Sequence, residues 1–109
     1  MSPEATQANE AILAEVEASG GGYVWEPEVF AVTLMDVAFE DSQVTRLCGL
    51  TGVEQIALNA SRLSFDTLQR IARIPDLQSL VLSSIHLTDD QQSALEALGP
   101  EVEIVSDEA

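Results

Sequence analysis

Residues 29–52 read VFAVTLMDVAFEDSQVTRLCGLTG, and two stretches of equal length follow without a gap: VEQIALNASRLSFDTLQRIARIPD (53–76) and LQSLVLSSIHLTDDQQSALEALGP (77–100). Counted from Val29, Val53 and Leu77, apolar residues recur at position 4 (Val32, Ile56, Leu80) and position 6 (Leu34, Leu58, Leu82). They recur again at position 11 (Phe39, Leu63, Leu87), position 19 (Leu47, Ile71, Leu95) and position 22 (Leu50, Ile74, Leu98). Columns matched at a period of 24 residues mean that one supersecondary unit is used three times. Positions 4 and 6 alternate with polar or small residues, the period of a strand. Positions 16, 19 and 22 are spaced by three, as on one side of a tight helix.

Each unit is therefore expected to run strand, turn, short helix, return. Helix-start chemistry sits where this scheme needs it. Ser64 leads into Phe65-Asp66-Thr67, and Thr88 with Gln91 three residues on forms a capping box. Asp89 and Asp90 suit the positive end of a helix. Pro75 and Gly99-Pro100 close the second and third helical segments. A unit this short cannot bury its own apolar columns, whereas stacked copies cover one another. Equal connection lengths place the strands side by side and parallel, with helices along the opposite surface.

Val53-Glu54-Gln55-Ile56-Ala57-Leu58 and Leu77-Gln78-Ser79-Leu80-Val81-Leu82 resemble the L-x-x-L-x-L core of the leucine-rich repeat, and Leu87-Thr88-Asp89 resembles the L-T-D opening of many bacterial repeats. The resemblance covers residues 29 to 106. It implies an α/β leucine-rich-repeat solenoid, with a parallel sheet on the inner face, short helices on the outer face and an N-terminal capping helix. Position 9, usually Asn, Cys or Thr in such repeats, is Val37, Ser61 and Ile85 here. No asparagine ladder is then available, and apolar or hydroxyl packing has to hold the turns. Gln92 stands where the other units carry apolar Val44 and Leu68, so the last helix is expected to fray or pack less tightly.

The flanks are read as ends of the stack. Ser2-Pro3-Glu4 is a helix-start signature. Ala5, Ala8, Ile12 and Val16 fall on one face of the helix that follows, with Leu13 beside it, and Ser19-Gly20-Gly21-Gly22 ends it. Tyr23-Val24-Trp25 is a short strand candidate whose two aromatic side chains leave the same face, and Glu26-Pro27-Glu28 is a turn or edge breaker. Glu101-Val102-Glu103-Ile104-Val105-Ser106 reads as a truncated last strand, its acids and the Asp107-Glu108 tail guarding a free sheet edge. The single domain thus divides into a cap (1–28), three units (29–100) and a terminal edge strand with an acidic tail (101–109).

Composition narrows the function. Nineteen acids against four bases, all arginine, give a formal charge of −15 at pH 7 over 109 residues. Such a surface repels nucleic acid phosphates and anionic lipid, so neither is an expected partner. No apolar run reaches the ~20 residues of a membrane span. The N-terminus lacks the basic and apolar regions of a signal peptide. One cysteine precludes an internal disulfide and fits a reducing cytoplasm.

Catalytic chemistry finds little support. His86 lies in the turn after the third strand and Cys48 on the helical side two units earlier, too far apart for a Cys–His dyad. Glu40-Asp41 and Asp89-Asp90 hold equivalent helix-start positions, which accounts for their pairing. Gly20-Gly21-Gly22 lacks the residues of a phosphate loop, and no zinc spacing occurs. No enzyme activity, cofactor or metal is expected. Arg46 and Arg70 share position 18 and belong on the outer helical surface, where Asp66 pairs with Arg70.

What remains is the face of the sheet opposite positions 4 and 6. Its columns read Ala31, Gln55, Ser79, Glu103, then Thr33, Ala57, Val81, Val105, then Met35, Asn59, Ser83, Asp107. The nine residues from the three full units are uncharged. A partly apolar patch follows, bordered at one end by Glu103 and Asp107. Tyr23 and Trp25 are expected to cap the N-terminal end of the core; the alternative is that they are exposed anchors that flank the patch with Phe30. The leading expectation is a module that binds a protein partner through this face, and the acidity of the chain admits a basic one. The alternative is an acidic inhibitor or immunity-type protein that neutralises a basic target. Either one is a monomer or self-associates weakly through the ends of the stack.

Overall fold

The computed structural model describes residues 3–85 and 87–105. Ser2, His86, Ser106, Asp107 and Glu108, which carry expectations above, lie outside the described residues, as do the side chains of Ala5 and Val37. The chain runs α1 (Pro3–Ala18), β1 (Gly22–Trp25), β2 (Phe30–Ala38), α2 (Asp41–Val44) and a 3-10 segment (Thr45–Gly49). It continues through β3 (Gln55–Asn59), α3 (Phe65–Ala72), β4 (Ser79–Ser83), α4 (Asp89–Glu96) and β5 (Glu101–Val105). The strands form one sheet in the order β1-β2-β3-β4-β5. β1 is antiparallel to β2, and every later pair is parallel.

The apolar columns meet as their spacing requires. Val32 pairs with Ile56 and Leu34 with Leu58; in the next strand Leu80 and Leu82 take the same places. All six are buried, together with Val44 and Leu47 of the first return, Leu68 and Ile71 of α3 and Leu95 of α4. Each such burial stabilises the fold by about 1.5–3 kcal/mol. The helices therefore form a single layer on one face of the sheet, and among the described residues the other face carries no helix.

The expected solenoid is not what forms. The sheet is mixed, the first pair being antiparallel, and the radius of gyration of 13.2 Å is that of a compact globular domain of this length, about 13 Å. The molecule is a small two-layer α/β domain. Three units are too few for the ends to be incidental: α1, β1 and β5 share the core with them. Nor are the helical halves copies of one another. The first is one α-turn followed by a 3-10 segment, whereas α3 and α4 have eight residues each.

The returns show the same mixture of likeness and difference. Gly52 (φ 85°) and Asp76 (φ 69°) hold the same place in their units, and both reverse the chain through the left-handed region. In the third unit that conformation comes one residue earlier, at Gly99 (φ 141°). The third return is shorter as well. Gln55 pairs with Ser79, 24 residues on, but Ser79 pairs with Glu101, only 22 on.

Caps follow the expected chemistry. The Ser64 hydroxyl accepts from the Thr67 N–H at 3.3 Å. Thr88 and Gln91 exchange side-chain bonds with each other's N–H at 3.1 and 3.0 Å. A further cap passed unrecognised in the sequence: the Glu40 N–H donates to the Gln43 side chain at 2.9 Å.

α1 is turned from its expected stripe. Its buried residues are Asn9, Leu13 and Val16, with Ile12 half-buried and Ala8 exposed. Asn9 is wholly buried and clasps the backbone of Thr51, donating to its carbonyl at 3.0 Å and accepting from its N–H at 2.9 Å. Arg46 pairs with Glu15 along the same interface. Gly21 follows close behind: a Cβ there would sit 2.8 Å from Val16 Cγ1 and collide with Leu34.

Candidate functional site

The open face is built from the residues that alternate with the buried columns. Ala31, Gln55 and Ser79 lie abreast across β2, β3 and β4, and so do Thr33, Ala57 and Val81. These six expected site residues are brought together. The fourth member of each row is not the expected one. The short third return moves β5 two residues along, so Glu101 stands beside Ser79, Glu103 beside Val81 and Val105 beside Ser83. A slip of two preserves which face a side chain points to. Glu103 and Val105 therefore stay on the open face, one step from their expected places.

The third expected row is broken: Asn59 and Ser83 lie abreast, but Met35 is not beside them. β2 is irregular between Leu34 and Ala38, and Asn59 pairs with Ala38 instead of Met35. Asn59 turns its side chain back to accept the Ser61 N–H at 3.1 Å. Ser83 is only 2% exposed, and its hydroxyl points to the Leu58 carbonyl at 3.5 Å, so it is no surface residue. Asp107 lies outside the described residues.

Of the two expectations for the aromatic pair, the structure agrees with the cap on the core and not with anchors on the open face. The β1–β2 hairpin closes through paired backbone bonds between Glu26 and Val29 at 2.8 and 3.2 Å, leaving Pro27 and Glu28 as the two-residue loop. In the resulting register Tyr23 lies opposite Val32 and Trp25 opposite Phe30, on the helix side. Trp25 stacks on the buried Phe30 ring with centroids 5.4 Å apart. Tyr23 reaches Glu17 of α1, whose carboxylate accepts the phenol proton in a hydrogen bond that raises the tyrosine pKa.

Val24, between them, takes the open face beside Ala31. Its place on the open face follows only from the antiparallel register, for which the signal in the sequence is the Pro27-Glu28 turn. Val29 and Glu101 were missed for similar reasons of register. Val24 and Val29 are each 47% exposed and Val105 36%. Among the described residues four large hydrophobic side chains are exposed, and these are three of them; the fourth is Tyr23.

The face is also shaped. Val24, Thr33 and Gln55 border a depression of about 310 Å³ lined by Ala31 and Ala57, where small side chains leave room. A smaller one, about 200 Å³, continues it past Val29, Ala31, Gln55 and Ser79. A separate cleft of about 250 Å³ lies in the helix layer, walled by Ile12, Val16, Leu34, Phe39 and Leu47. Glu15 and Arg46 also line it and satisfy one another as an ion pair.

Charge is divided between the faces. No arginine lies on a strand. Arg46 pairs with Glu15, Arg62 with Glu40 at 3.3 Å and Arg70 with Asp66 at 3.3 Å. The open face is uncharged at Ala31, Thr33, Gln55, Ala57, Ser79 and Val81; it is acidic along β5 at Glu101 and Glu103, and Glu28 and Glu54 line the smaller depression.

The titratable groups that do shift serve the helix layer. The Asp41 carboxylate accepts the Ser64 N–H at 2.9 Å, which holds its pKa below the usual carboxylate value and ties the first return to the start of α3. Burial pushes the Cys48 thiol up, opposed by the charge of Arg70. Among the described residues no three His, Cys, Asp or Glu side chains gather as a metal site, and no helix is long and apolar enough to cross a membrane. No family model, curated protein or solved structure matches the chain.

Proposed function

We propose that the chain is a protein-binding module, not an enzyme, and that its contact surface is the helix-free face of the sheet. One observation carries this reading: three of the four exposed large hydrophobic side chains among the described residues share that face, over rows of small uncharged residues. Apolar surface that the fold leaves uncovered on one side of a rigid sheet is what a partner's side chains displace water from. The single free cysteine supports a reducing, cytoplasmic setting.

Val81 and Ala57 stand near the centre of the face, half-buried and free of structural hydrogen bonding through their side chains. The chain and its Val81→Arg and Ala57→Arg variants, each checked for folding by circular dichroism, are immobilised and exposed to the native lysate. The expected result is a protein retained by the parent and lost from both variants. Identical retained sets from all three remove the sheet face as the contact surface.

A further inference from the structure

Resting on the sheet-face reading, the charge layout specifies the partner: we infer that it is a protein surface with an apolar centre and a cationic margin, docked so that the margin follows β5. The open face has an uncharged centre and acids around it: Glu28 and Glu54 line the smaller depression, and the acids that lie on a strand of the face are those of β5. At the β1 side lies the depression between Val24 and Ala57, which accepts an apolar side chain. At the β5 side Glu101 and Glu103 project next to Ser79 and Val81, both exposed and neither in an ion pair among those found in the structure.

None of the ion pairs found joins an arginine to either of these two acids. Three are engaged with Glu15, Glu40 and Asp66, and Arg73 follows α3. A neutral or acidic partner would have to leave Glu101 and Glu103 desolvated without a counter-charge, which costs affinity. A lysine- or arginine-bearing margin removes that cost and sets the orientation. The net charge of −15 adds long-range attraction of the same sign.

Peptide titration of the isotopically labelled full chain, followed by amide chemical shifts, tests this. The probes are a peptide of alternating leucine and lysine, an all-lysine peptide of equal charge, and a peptide of alternating leucine and glutamine. The expected outcome is shifts at Val24, Ala57, Val81, Glu101 and Glu103 with the leucine–lysine peptide, and weaker binding of the other two. Glu101→Lys with Glu103→Lys should weaken the leucine–lysine complex about tenfold. Glu10→Lys with Glu96→Lys makes the same change in net charge on exposed helix positions and should weaken it less than about twofold.

Equal weakening by the two double variants overturns the proposed margin and leaves only general attraction to an acidic body. Equal binding of the leucine–glutamine peptide on the same face overturns the cationic partner while leaving the sheet-face reading standing. Shifts confined to the helix layer, or no binding by any peptide, overturn both.

Discussion

At the β1 end of the sheet the core is covered by α1, which buries Leu13 and Val16 and grips Thr51 with both ends of the Asn9 amide. At the β5 end no described element lies beyond the last strand. The Glu101 N–H bonds inward to Gln78, so the backbone groups of Val102 point outward, and the Gln92 side chain reaches across to the Val102 carbonyl at 3.2 Å. One end is shut by packing and a two-point hydrogen bond, the other by acids and a single amide. Apolar closure contributes to stability and makes the fold depend on it. Polar closure contributes little to stability and governs whether an exposed strand finds another chain.

The largest effect should come from the packed end. Leu13→Ala removes a buried side chain that the fold cannot replace and should lower the unfolding free energy by about 2–5 kcal/mol in a urea titration. A loss below about 1 kcal/mol would show that α1 is not part of the cooperative core. Asn9→Ala should cost less, about 1–3 kcal/mol, because Thr51 is exposed and water can take over part of the bonding. Hydrogen exchange should quicken at Thr51 and through α1 while the amides of β3 and β4 keep their protection. Uniform quickening would instead mean that the helix and the sheet open together.

The polar end should behave in the opposite way. Gln92→Leu restores the apolar type found at Val44 and Leu68 and should change stability by less than about 1 kcal/mol. It also strips the Val102 carbonyl of its partner. Sedimentation should then show mass rising with concentration more steeply than for the parent chain. An unchanged profile would leave Gln92 as a packing residue with no part in guarding the edge.

These contrasts bear on what a single chain of letters can disclose. The strands β2, β3 and β4 were legible because their buried residues repeat at fixed spacing, and the starts of α3 and α4 because Ser64 and Thr88 cap by local chemistry. The global form was not. Repetition invites extension, and nothing in the columns reveals that β1 will pair antiparallel or that a two-residue deletion in the third return offsets β5. For the site, six residues of the two central rows were legible from alternation alone. Ser83 and Met35 were misplaced because the bulge in β2 and the turn after β4 break the alternation just where a third row would begin. Asn9 was invisible for a different reason: a buried amide on a helix looks like any surface asparagine until its backbone partner, 42 residues away, is known. Gln92 looked like a defect in a pattern, and the structure assigns it a bond.

The clasp between Asn9 and Thr51 also bears on time. Strands β2 to β5 meet neighbours 21 to 24 residues away, whereas the clasp joins positions 42 residues apart. Each doubling of a closed loop costs only about 0.6 kcal/mol more in chain entropy, so distance alone delays α1 slightly. The greater delay comes from the surface it needs. Thr51 is held in place only after the first return has packed on β2 and β3. The expected sequence of assembly is the parallel strands with their helices, then the hairpin, then α1. On a nascent chain this means that α1 emerges before the surface it needs and docks last, waiting on residues still to be synthesised.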